Sequence, residues 1–175
     1  MALSMQRLSV LASDVGMGTA ICAVGDAAAQ RYALAAGDVD DFDAKRCGAM
    51  ASYGLFAAFP YHFYYRWLAR NVHVMWQKTA VECLLTNPLF EIPCLTLWTG
   101  HFGQDLGAAA NAAHLRDTYA EAFAMSLVIW VPSSALVFRY VPSRWHLVTV
   151  YGIGAAWDAA MSRLSFGDGR EASRA

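Results

Sequence analysis

Apolar segments of helix length alternate with short polar patches along the chain. Five such segments are read: about Leu8–Ala36, Lys45–Ala69, Gln77–Gly100, Leu115–Tyr140 and Ser143–Leu164. No period-two alternation persists, so every element is expected to be a helix. Two runs carry no Asp, Glu, Lys or Arg: Cys47–Tyr65, with 19 residues, and Ala122–Phe138, with 17. A bilayer core about 30 Å thick needs about 20 apolar residues in a helix, with about 17 as the lower limit. Pro60, Pro88, Pro93 and Pro132 all fall inside apolar segments. In water each would argue for a break. In a membrane bundle, neighbouring helices re-satisfy the carbonyls a proline frees. The pattern therefore predicts an all-α, membrane-embedded bundle of kinked transmembrane helices.

Composition agrees with that solvent. The 175 residues are 57% hydrophobic and 15% charged, against about 25% charged in soluble domains. Most charges sit in five patches, 37–46, 66–78, 105–121, 139–144 and 163–174. One helical transmembrane domain is expected over residues 1–164, followed by a disordered polar tail over 165–175. A net charge of −1 and the lack of a basic stripe argue against nucleic acid as a partner. Cys22, Cys47, Cys83 and Cys94 show no metal or disulfide spacing and read as buried thiols. The N-terminal stretch is a poor signal or transit peptide, so targeting is expected to be internal. "AAGDVDDFD" reads as an acidic turn ending in a cap at Asp43, "GQDLGAAANAAH" as a linker, and Ser143 as an N-cap. Small residues mark helix faces suited to close approach: Gly18, Cys22 and Ala29; Gly48, Ala51 and Gly54; Gly152 and Gly154.

The polar residues left inside the segments carry the candidate chemistry. Asp26 and Gln30, in "VGDAAAQ", are four apart and share a helix face. A carboxylate in a membrane segment costs about 2.5–3.5 kcal/mol on insertion scales and faces the bundle interior or water. Arg46, Arg31 and His62 are its candidate partners. Two readings stay open: an interhelical clamp, or the lining of an aqueous path. Glu82 and Glu91 are nine apart, so an ideal helix sets them about 2.5 turns apart, on opposite faces. Proline kinks could change that. His62 lies among aromatics, and the bland role is an interface residue. His101, Glu91 and Cys94 fit no known metal spacing. No nucleophile–base pair, phosphate loop or H-E-x-x-H occurs, so neither an enzyme, a metal nor a cofactor is expected.

In order, the chain reads "GDAAAQ", Arg46, "PYHFYYRWL", "KTAVECLLTNP", "FRYVP" and "WDAAMS". This order resembles the peroxisomal membrane protein 22-kDa family, which also contains the Mpv-seventeen-type inner mitochondrial membrane proteins. Gly25, Asp26 and Gln30 match its first motif intact. Pro60, His62, Tyr64, Tyr65 and Leu68 match its second with Tyr for Trp. Lys78, Glu82, Cys83 and Pro88 match its third with Glu for Asp and Cys for Gln. Trp130, Phe138, Val141 and Pro142 fit the fourth, where Val131, Ser134 and Val137 replace expected Pro, Gln and Asn. Trp157, Asp158, Ala160, Met161 and Ser162 resemble the closing motif. The resemblance implies a small integral membrane protein of the inner mitochondrial membrane, with the peroxisomal membrane as the alternative. It implies four spans and a fifth short or interfacial segment, so four to five transmembrane helices are expected. It also implies passage of small solutes and organelle homeostasis, with no enzymatic activity. The expected function is to form or modulate a small-solute pore; the alternative is a non-conducting scaffold. Asp26, Gln30, Arg46, His62 and Glu82 are the candidate pore-lining or helix-clamp residues. Expected partners are the lipid bilayer and small solutes, with homo-oligomerisation left open.

Overall fold

The computed structural model describes residues 2–157 apart from 38, 143, 144, 147, 148, 151 and 155, with side chains from Ser9 onward. The described residues form helices and connections, without strands. Helix α1 spans Ala2–Ala35 and α2 spans Ala44–Asn71. A single helical rod then runs through α3 (Met75–Val81), a π-helix (Glu82–Glu91) and α4 (Ile92–Phe102). Helix α5 spans Ala108–Tyr140. The described residues between 145 and 157 are also helical. The expected cap at Ser143, the closing motif beyond Trp157 and the polar tail lie outside the described residues.

The boundaries follow local chemistry. Gly37 takes φ +75 just past α1, the left-handed conformation that commonly closes a helix. Asp43 caps α2 through its side chain, which accepts from the Arg46 backbone N–H at 3.0 Å. One expectation is corrected: "GAAANAAH" is not linker, because α5 already begins at Ala108. Alanine is the strongest helix former, and Asn111 is fixed by donating to the Leu97 carbonyl at 2.8 Å.

Helices α1 and α2 form an antiparallel hairpin. At its crossing, a Cβ on Gly54 would collide with the Gly18 carbonyl. These two glycines let the backbones touch, as expected for small-residue packing. Gly48 and Gly152 are exposed, and among the described residues no close contact forms at either. Phe56 stacks on Trp98 with centroids 4.8 Å apart, joining α2 to α4. Tyr119 on α5 donates to the Pro88 carbonyl at 3.0 Å.

Polarity is distributed inside-out relative to a water-soluble protein. Asp26, Gln30, Glu82, Asn87, Glu91, Thr96, Thr99 and Ser126 are buried. Val128 is 76% exposed, Leu89 72% and Leu136 58%. Single exposed apolar residues are ordinary, but a whole apolar exterior around a polar interior matches lipid rather than water. Three helical stretches are long and apolar enough to cross a membrane: Ser9–Ala35, Met75–Phe102 and Ala108–Tyr140. Among the described residues the count is three, and the expected four to five is not confirmed. Helix α2 is not one of them, because "YHFYYRWLAR" dilutes its apolar run.

Candidate functional site

The five sequence candidates do not form one lining. They fall into three separate groups along the bundle. The first is at the α1–α2 turn. Asp26 is fully buried, and its Oδ1 accepts from Arg46 Nε at 2.7 Å. Its Oδ2 accepts from Gln30 Nε2 at 2.7 Å. The Gln30 amide also receives the Asp43 backbone N–H at 2.6 Å and donates to the Asp43 carbonyl at 3.0 Å. Asp43 in turn caps the backbone of Arg46. The result is a closed ring, Asp26–Gln30–Asp43–Arg46, that ties the start of α2 to α1. Arg31, named as another partner for Asp26, is exposed.

His62 belongs to a second group, at the other end of the hairpin. Its Nδ1 lies 2.5 Å from Asp14 Oδ2, and its Nε2 lies 3.1 Å from Arg66. An arginine can only donate. The ring therefore accepts from Arg66 at Nε2 and donates to Asp14 from Nδ1. Asp14 was not singled out from sequence, because 48 residues separate it from His62.

Glu82 anchors the third group, with Glu91. Tyr64 and Tyr65 each donate to Glu82 at 2.6 Å. Tyr61 donates to Glu91 at 2.5 Å. Both carboxyl groups thus face α2, contrary to the opposite faces of an ideal helix. The π-helix is the cause. Its i→i+5 hydrogen bonds widen each turn, so nine residues make about two turns rather than about 2.5. Pro88 and Pro93 lack the N–H donors that a regular α-helix needs there. Tyr119 supplies a donor to the Pro88 carbonyl.

Both glutamates line a cavity of ≈ 60 Å³ between α1, α2, the π-helix, α5 and the 145–157 segment. Tyr61, Tyr65 and Asn87 share the lining, and Trp130 meets Trp157 across it edge to face with centroids 6.4 Å apart. Asn87 Nδ2, Trp130 Nε1 and Trp157 Nε1 are buried there with no hydrogen-bond partner among the described residues. Asp26, Gln30, Arg46 and His62 are not part of this lining. Sequence reasoning missed Asn87 and the two tryptophans as a group; only the fold brings them together. Among the described residues, no three His, Cys, Asp or Glu side chains are placed to hold a metal ion.

Among the described residues, helices without strands, a polar interior, an apolar exterior and three stretches of crossing length define an all-α integral membrane protein. Residues 107–162 match the Mpv17 / PMP22 family, and this match bears out the resemblance carried by the ordered motifs. No solved structure matches the chain.

Proposed function

We propose that this protein forms or modulates a path for small polar solutes across an organellar membrane. The inner mitochondrial membrane is the first assignment and the peroxisomal membrane the second. One observation carries the reading: a cavity inside an apolar-coated bundle, mainly apolar in its walls but joined by Glu82 and Glu91, with three N–H donors of its lining residues buried and unpaired among the described residues. A buried donor left unpaired costs about 1–3 kcal/mol. A cavity needs at least about 10–15 Å³ and some polar partners to hold a water, so ≈ 60 Å³ with Glu82, Glu91 and Asn87 in its lining has room for a few waters or a very small solute. Carboxylates along a path favour cations. In this reading Glu82 and Glu91 set selectivity, and Asn87, Trp130 and Trp157 donate to the passing solute or water. Passage is passive, and no covalent step is involved.

A second reading, a non-conducting scaffold, is favoured by the closed ring at Asp26 and by the tyrosines that already occupy Glu82. Planar-bilayer recordings of the purified protein separate the two. Discrete openings are expected, with cation preference reduced by Glu82→Gln and unchanged by Arg116→Gln at an exposed site. Silence from folded, inserted protein would overturn the path reading in favour of the scaffold.

A further inference from the structure

We propose that the groove between α1 and the C-terminal half of α2 binds the headgroup of an anionic phospholipid. The groove has a volume of ≈ 490 Å³ and is lined by Leu11, His62, Phe63, Arg66, Trp67 and Arg70. Arg66 and Arg70 are one helical turn apart and exposed, so both guanidinium groups reach the same side. Neither has an acidic partner among the described residues. The nearby carboxylate, Asp14, is held by His62 instead. His62 accepts one Arg66 N–H, which orients that guanidinium at the groove.

The position along the bundle selects a lipid over a soluble anion. Lys78 lies over the Phe138 ring at 5.8 Å, so the end of α2, the start of α3 and the end of α5 share one end of the bundle. Arg66, Arg70, Lys78 and Arg139 gather there, while Asp40, Asp41, Asp43, Asp105 and Asp117 lie at the other end. Trp67, Trp76, Tyr140 and Trp145 are exposed at the same basic end. Trp and Tyr mark the headgroup level of a membrane. The groove thus opens where phospholipid phosphates lie. Its upper wall is arginine, suited to bidentate phosphate contact. Its Leu11, Phe63 and Trp67 surfaces suit the glycerol backbone and the first acyl carbons. Basic pockets between transmembrane helices bind anionic headgroups in this way.

The test uses the full chain, reconstituted in phosphatidylcholine with and without phosphatidylglycerol. Retained lipid is counted by native mass spectrometry after extraction, and affinity by titration in neutral detergent. Wild type should retain phosphatidylglycerol over phosphatidylcholine. Each basic residue at the headgroup is worth about five-fold, so Arg66→Gln with Arg70→Gln should weaken retention about 30-fold. Arg70→Gln alone, which disturbs no hydrogen bond among the described residues, should weaken it about five-fold, and the paired Lys variants, which keep the charge but not the bidentate fork, should restore only part of it. Arg116→Gln, at the opposite end, should match wild type. Equal retention by the folded double Gln variant would overturn the proposal. Displacement of the lipid by inorganic phosphate at equal concentration would also overturn it, in favour of a soluble-anion site.

Discussion

Asp26→Ala removes a fully buried anion from the partly buried Arg46, 20 positions away in sequence. Breaking a buried pair from one side costs about 3–5 kcal/mol. Thermal unfolding in detergent should show that loss. Asp26→Leu with Arg46→Met should lose less than the sum of the single changes, since no unpaired charge remains. A double-mutant cycle that adds without coupling would contradict the ring. Half of this ring was legible in the sequence. The four-residue spacing paired Asp26 with Gln30, and Arg46 was one of three cations in reach. The Gln30–Asp43 bonds were not legible, because they depend on how the turn after Gly37 folds back. Neither was the Asp14–His62 pair, which exists only once the hairpin closes.

At the level of elements, the π-helix makes a property of spacing into a property of geometry. Residues 82 and 91 face one neighbour only because the turns between them are wide. Pro88→Ala restores a donor and should let the segment tighten toward an α-helix. In a cysteine-free background, a short thiol cross-linker should join Tyr65→Cys to Glu82→Cys and Tyr61→Cys to Glu91→Cys. Adding Pro88→Ala should preserve one linkage and lose the other; retention of both would show that the prolines do not set the width. The sequence exposed the prolines and the two glutamates, but standard helical geometry put them on the wrong faces. The hairpin crossing was more legible, since Gly18 and Gly54 stood out as small residues. Gly54→Ala forces the α1 carbonyl aside and should cost about 1–3 kcal/mol, as overpacking does. That is read as a lower unfolding temperature in the same detergent.

For the whole molecule, the apolar exterior makes a sharp distinction between solvents. Val128, on the outer face of α5, tolerates Arg at little cost if it meets water. If it meets lipid, Val128→Arg should disfavour insertion by about 2.5–3.5 kcal/mol. A glycosylation-mapped insertion assay reads the difference directly. The helix class and lipid setting were legible because charges cluster between apolar runs. The number of spans was less so, because freedom from charge is not the same as hydrophobicity. Helix α2 shows the difference: it carries a run of 19 residues without charge, yet it is not among the stretches apolar enough to cross alone. Helix α1 supports it at three levels: Asp26 pairs with Arg46, Gly18 packs on Gly54, and Asp14 pairs with His62. This has a consequence for biogenesis. Helix α1 leaves the ribosome before α2 and carries every one of those partners. A nascent α2 therefore need not partition into lipid on its own merits, but can enter against a helix already there. Presented to the translocation machinery alone, α2 should slip through; presented behind α1, it should stay.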